Sequence, residues 1–153
     1  MVYTLRREQI LPVEPQALWH FLSRPENLNA ITPPWLRFEI RSSVPEQMFD
    51  GLLVRYRVRL PIFGAQNWLT EIKHIREGES FVDEQRAGPY RLWYHYHAVA
   101  PHEKGSEMID EVTYQLPFGV IGDLVHAAVI KRQLKAIFDY RYEALDALFN
   151  AAE

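Results

Sequence analysis

The clearest pattern in the chain is a strict alternation over residues 51–60. Leu52, Val54, Tyr56, Val58 and Leu60 interleave with Leu53, Arg55, Arg57 and Arg59. Side chains of a strand point to opposite faces in turn, so this segment predicts a strand with one buried face and one basic, hydrated face. Similar patterns predict strands over residues 2–11, 36–42, 66–76, 80–86, 91–99 and 108–116. Residues 12–32 read as two short helices. Pro15 suits a first helical turn, Leu18, Trp19 and Leu22 share one side, and Pro25 opens a second helix over 26–31. Pro33 and Pro34 end it.

Residues 119–152 are helical in pattern, but their apolar stripe breaks phase. At 100° per residue, Ile121, Leu124, Val125 and Ala128 fall on one side. Leu134, Ile137, Phe138, Leu145, Leu148 and Phe149 fall nearly opposite. One straight helix cannot bury both stripes on one sheet. The pattern therefore predicts a break between Val125 and Ile130, with the first segment folded over an opening and the second lying along the sheet. The element order is strand, two short helices, six strands and a long helix. A single antiparallel sheet must cover its apolar face. The expected fold is α+β: a curved seven-stranded antiparallel sheet gripping the C-terminal helix, as one domain over residues 1–153.

Two strands carry the candidate chemistry. Trp93, His95, His97 and Val99 share one face of the first, and Met108, Asp110, Val112, Tyr114 and Leu116 one face of the second. A tight turn at Glu103-Lys104 would set His97 opposite Asp110, His95 opposite Val112 and Trp93 opposite Tyr114, whereas a one-residue slip or a bulge would bring Ile109, Glu111 and Thr113 opposite instead. A second hairpin, turning at Ala87-Gly88-Pro89, brings Asp83 near Trp93 or His95, and Gln85 near Arg91 or Trp93. Imidazoles, carboxylates and a phenol on an otherwise apolar surface are costly to bury unless paired or hydrated. One reading is structural, with the histidines satisfied by carboxylates or on the wet face and Tyr94 and Tyr96 inside. The other is the polar end of a ligand cavity. On that reading Tyr56, Trp68, Phe81, Asp83, Gln85, Trp93, His95, His97, Asp110, Tyr114, Phe118 and Ile137 are the candidate ligand-binding residues. The same cluster could serve acid–base catalysis, with His95, His97, Asp110 and Tyr114 as the candidates. A His-x-His pair with a cross-strand Asp can also hold zinc or iron, but the sequence fixes no third ligand, so neither a metal nor another cofactor is expected.

Composition narrows the classes. The formal charge of −3 offers no basic field for nucleic acid or anionic lipid. No cysteine is present, which excludes disulfides and thiolate metal sites and points to the cytoplasm. The N-terminus lacks an apolar signal core, and no stretch is long enough to insert in a bilayer. No P-loop, dinucleotide fingerprint or Gly-x-Ser-x-Gly is present.

The element order resembles the START-like, or SRPBCC, helix-grip superfamily. So do several local words: Phe81-Val82-Asp83-Glu84-Gln85, Gly88-Pro89-Tyr90, Trp93-Tyr94-His95-Tyr96-His97, the run Asp110 to Gly119, and the helix text from Arg132 to Arg141. That superfamily includes pathogenesis-related plant allergens, lipid-transfer domains, polyketide cyclases and coenzyme-Q-binding proteins. The words look most like small bacterial members described as cyclases or ligand-binding proteins. The resemblance implies a cavity for a hydrophobic or amphipathic small molecule. Its alternatives are a cofactor-free cyclase, aromatase or dehydratase, or a regulatory module acting with an epimerase-like partner. The fold hosts many functions, so the residues of the site must decide.

Overall fold

The computed structural model describes residues 1–150. Residues 151 and 152, at the end of the expected helix, lie outside the described residues. Seven strands form one antiparallel sheet: β1 (Tyr3–Leu11), β2 (Glu39–Ile40), β3 (Leu52–Leu60), β4 (Gly64–Arg76), β5 (Ser80–Ala87), β6 (Leu92–His102) and β7 (Gly105–Gln115). Their spatial order is β1-β7-β6-β5-β4-β3-β2. Between β1 and β2 lie helix α1 (Pro15–Leu22), a 3-10 helix (Pro25–Ile31) and a 3-10 turn (Pro34–Leu36). After β7 come α2 (Gly119–Val125), a π-helical turn (His126–Ile130) and α3 (Lys131–Asn150).

The alternation in β3 folds as it reads. Leu52, Val54, Tyr56, Val58 and Leu60 are buried, while Arg55, Arg57 and Arg59 are exposed. The β6–β7 hairpin takes the register set by its turn, with His102 opposite Gly105, His97 opposite Asp110 and Trp93 opposite Tyr114. Asp83 pairs with His95 across β5 and β6. The β4–β5 register shifts twice, at Leu69–Thr70, where the extra residue is Arg86 of β5, and between Lys73 and Arg76, where the extra residue lies on β4. The second contains His74 at φ 56°. Bulges increase local twist and bend the bulged strand, which suits a sheet that wraps a helix.

Two expectations for the elements before β3 change, and the expected break in the C-terminal helix is found while the placing of the segment before it changes. The strand expected over 36–42 shrinks to Glu39–Ile40, because Pro34 starts a 3-10 turn and Arg37 ends it in the left-handed region at φ 44°. The second short helix is 3-10 rather than α. The break in the C-terminal helix falls at His126–Ile130 and takes the form of a π-helical turn. A π turn adds a residue to the helical repeat and so shifts the phase of the stripe. Downstream, Leu134, Phe138, Arg141 and Leu145 form the buried stripe of α3. Upstream, Ile121 and Leu124 are each 68% exposed, so this stripe faces solvent and does not fold over the cavity.

Candidate functional site

Between the concave face of the sheet and α3 lies a cavity of about 190 Å³. Tyr56 reaches it from β3, and Trp68 and Thr70 from β4. Phe81 and Asp83 come from β5, and Trp93, His95 and His97 from β6. Ile137 and Arg141 face it from α3, Leu22 from the end of α1, Leu28 from the 3-10 helix and Met48 from the β2–β3 connection, and Ser23, Arg24, Asn27 and Thr32 add polar groups on that side. The walls are mainly aliphatic and aromatic. Trp68 meets Trp93 edge-on at 5.2 Å, and Trp93 meets Tyr90 at 4.9 Å. Such offset and edge-on pairs hold one another in place. Their bulk therefore shapes a preformed apolar wall.

Four ionisable groups of the sheet, Asp83, His95, His97 and Asp110, cluster where strand parity on β5, β6 and β7 brings them onto one face. Asp110 Oδ1 accepts from His95 Nε2 at 3.1 Å and from His97 Nδ1 at 2.8 Å. His97 Nε2 lies 2.5 Å from Asp83 Oδ2. His95 Nδ1 sits 3.3 Å from the same oxygen. The imidazoles lie against each other, centroids 3.7 Å apart, and Phe81 stacks on His97 at 4.4 Å. Arg141 closes the cluster from the helix: its Nε donates to Asp110 Oδ2 at 2.7 Å and its second terminal nitrogen to Oδ1 at 3.4 Å. All five residues are buried except Asp83, whose side chain is 21% exposed.

The electrostatics follow from this contact order. Burial opposes ionisation of Asp110, but Arg141 and the two imidazoles outweigh it and hold the carboxyl well below the usual carboxylate range. Burial opposes the charge on Asp83 too, and His95, His97 and Arg141 together bring its pKa below normal. The imidazoles split. Burial lowers the pKa of His95, and the charge of His97 beside it adds to the effect. For His97 burial is outweighed by hydrogen bonds to Asp110 and Asp83, and its pKa rises. The surroundings thus favour the neutral form of His95 and the protonated form of His97, and the charged forms of both carboxyls. Asp83 also reaches Tyr56, whose phenol is pushed upward first by burial and then by this carboxylate.

Of the twelve candidate ligand-binding residues, eight face the cavity: Tyr56, Trp68, Phe81, Asp83, Trp93, His95, His97 and Ile137. Four lie elsewhere. Asp110 is buried behind the histidines and supports them rather than the cavity. Gln85 folds back on its own hairpin, donating to the Tyr90 carbonyl and accepting from the Tyr90 amide. Tyr114 is buried behind Tyr90 and Trp93, and its hydroxyl shares a 2.8 Å hydrogen bond with His126 Nε2. Phe118 is 78% exposed, because a left-handed residue at φ 70° turns the chain outward into α2. The reading that put Tyr94 and Tyr96 inside fails, since His95 and His97 point inward and Tyr96 is exposed. At the tip of the β3–β4 hairpin, Phe63 meets Tyr90 edge-on with ring centroids 6.3 Å apart.

Arg141 and Thr70 are the functional candidates that sequence reading missed. Arg141 carried a signal: it sits at the spacing of the buried stripe, seven residues from Leu134 and four from Leu145. A charge on a buried stripe needs a buried partner. Thr70 is 1% exposed, faces the cavity, and its hydroxyl has no hydrogen-bond partner among the described residues. The expectation of no metal rested on a missing third ligand, and Asp83 supplies one beside His95 and His97.

No protein-family model matches the chain, and no curated protein sequence matches it. Solved structures do match it over almost its whole length. A Thermus thermophilus protein aligns at 16% identity over 99% of both chains, with a TM-score of 0.70. A START superfamily protein from Mycobacterium smegmatis aligns at 11% identity over 99% of both, with a TM-score of 0.67. The di-domain ARO/CYC protein StfQ of the steffimycin biosynthetic pathway aligns at 12% identity over 99% of this chain and 52% of its own, with a TM-score of 0.72. No helix among the described residues is long and apolar enough to cross a membrane. With its single curved antiparallel sheet closed around a long C-terminal helix, the chain has a helix-grip fold like that of the START superfamily protein.

Proposed function

We propose that this protein binds one small hydrophobic molecule carrying a polar group, in the cavity between the sheet and α3. The observation that supports it best is the polarity of the cavity itself. Mainly aromatic and aliphatic walls carry one buried ionic cluster, Asp83, His95, His97 and Arg141, with the Thr70 hydroxyl, unpartnered among the described residues, on the same concave face. A dry, fully apolar cavity of about 150 Å³ accommodates benzene. The present cavity, somewhat larger, suits a small ring system or short chain whose polar atom reaches Asp83 or Thr70. The small-molecule reading also agrees with the names of neighbours of this fold, which include an ARO/CYC protein. The cysteine-free composition suits a reducing compartment such as the cytoplasm.

Acid–base catalysis on the bound molecule is the second reading. The observation favouring it is the pairing of two stacked imidazoles between Asp110 and Asp83 on the cavity wall, with the pKa of His95 pushed down by burial and that of His97 raised by its two carboxylate partners. Native mass spectrometry of protein purified from its own host tests both. A bound mass released on denaturation supports binding, and conversion of that compound on return to the protein supports catalysis. Protein that is empty from its host, and whose tryptophan fluorescence does not respond to a panel of phenols and small polycyclic ketones, overturns both.

A further inference from the structure

Donors and acceptors inside the polar cluster do not balance. A neutral imidazole has one N–H and one lone pair. His95 Nε2 and His97 Nδ1 both face Asp110 Oδ1, an acceptor held in place by Arg141, so both rings must present their N–H on that side. The opposite nitrogens, His95 Nδ1 and His97 Nε2, then carry lone pairs. Both converge on Asp83 Oδ2, at 3.3 and 2.5 Å. Three acceptors thus meet at one point, all within 4.8 Å of one another. Acceptors repel there unless a cation lies between them. A proton on His97 satisfies the short contact only. It leaves the His95 Nδ1 lone pair against a carboxylate oxygen, with no proton between. The guanidinium cannot fill the gap, since it lies on the Asp110 side, 3.5 Å from His97 Nδ1.

We propose that Asp83, His95 and His97 form a three-ligand site for a divalent transition metal of the zinc or iron(II) class, on the cavity wall. Two imidazoles and one carboxylate suit that class, whereas calcium and magnesium prefer all-oxygen sites. Asp110 is the positioning residue. Ligating histidines ordinarily donate their second N–H to a carboxylate, which fixes tautomer and ring angle. Here one carboxylate serves both rings, and Arg141 neutralises it, so the net ligand charge is that of Asp83 alone. Metal–ligand bonds of about 2.0–2.2 Å require Asp83 and His97 to separate from their present contact. Asp83, the one partly exposed member, has the cavity to move into. The positions not taken by protein also face the cavity, as in three-ligand sites that keep a place open for water or substrate. This inference rests on the cluster and not on the identity of any organic ligand.

The test uses the full chain, stripped with a chelator and titrated with zinc or cobalt(II). We expect one ion per chain with micromolar or tighter affinity, and a visible cobalt absorption band. In ¹⁵N-labelled wild-type protein, zinc should move the Nδ1 resonance of His95 and the Nε2 resonance of His97, leaving their other nitrogens protonated. Asp83→Asn and His97→Ala should each weaken binding at least 100-fold. Asp110→Asn should weaken it about 10- to 100-fold with the stoichiometry kept. His102→Ala, on the exposed β6–β7 turn, should change nothing. Failure of the wild-type protein to bind near one equivalent overturns the site. So does zinc that shifts other histidines or the opposite ring nitrogens. The nitrogen readout needs no variant, so it decides the matter even if a mutant misfolds.

Discussion

Arg141→Met should be among the most damaging single substitutions in the protein. The side chains of Arg141 and Asp110 are 8% and 6% exposed, and they meet through contacts of 2.7 and 3.4 Å. Methionine keeps much of the volume and removes the charge, so Asp110 is left as a buried carboxylate with only the imidazoles to offset it. Removing one partner of a buried pair costs roughly 3–5 kcal/mol. His97 already donates to Asp110, so the lower end, about 3 kcal/mol, is the expectation here. With a urea slope of about 2 kcal/mol/M, the unfolding midpoint should fall by about 1.5 M. Adding Asp110→Asn should recover part of that loss, because the double variant buries no unpaired charge. The assay is urea unfolding of the wild type, both single variants and the double variant, followed by tryptophan fluorescence. A loss below about 1 kcal/mol for Arg141→Met, or a double variant as unstable as the sum of the singles, refutes the reasoning.

Gly105→Ala should be severe, since Gly105 lies at φ 124° and a Cβ there would meet the Leu11 carbonyl oxygen and come within 2.7 Å of the Val13 amide. Gly51→Ala at φ 85° meets nothing and should lose only about 1 kcal/mol, so equal thermal shifts would count against this account. In metal-free protein, the depressed carboxyls of Asp83 and Asp110 give stability that is present above about pH 4 and lost as pH falls through their folded values. The raised His97 gives stability present below about pH 6.5 and lost as pH rises through its folded value, while the lowered His95 acts oppositely. Urea midpoints should therefore change little near neutrality and fall steeply in acid, and the Asp110→Asn, Arg141→Met double variant should show a shallower acid limb. Trp93→Ala should weaken binding of a small aromatic probe by about 2 kcal/mol if Trp93 anchors it, measured by calorimetry, and unchanged affinity would remove Trp93 from the wall.

What the sequence made legible was whatever depends on period and turn geometry. Period two decides which residues share a face, and the two-residue turn at Glu103-Lys104 decides register, so the meeting of His97 with Asp110 could be read without coordinates. The phase break in the last helix was legible for the same reason, because a π turn is a local change of period. Facing was not enough to decide lining. Asp110 shares the concave face with His95 and His97, yet the two rings stand between it and the cavity. Tyr114 sits behind Tyr90 and Trp93 in the same way. Depth behind a first layer of large rings depends on rotamers, which parity does not encode. Gln85 was lost to a local competitor, the backbone of its own hairpin, and Phe118 to a single left-handed residue.

Arg141 shows a different kind of gap. It is 31 residues from Asp110, and nothing local links them. The link is thermodynamic. A carboxylate buried at β7 is tolerated only if a cation reaches it, and α3 is the element that crosses the concave face. A charge at a stripe position and a carboxylate on an apolar face are therefore one observation. Stability alone does not account for the cluster, since well-packed apolar residues often replace buried ion pairs without loss. What apolar residues could not do is hold two imidazoles in one tautomer, aimed at one carboxylate oxygen, on the wall of a mainly apolar cavity. Asp110 and Arg141 impose that arrangement from behind. The groups left facing the cavity are thus oriented before any molecule or ion arrives, and preorganisation of this kind is what a binding or reacting site requires.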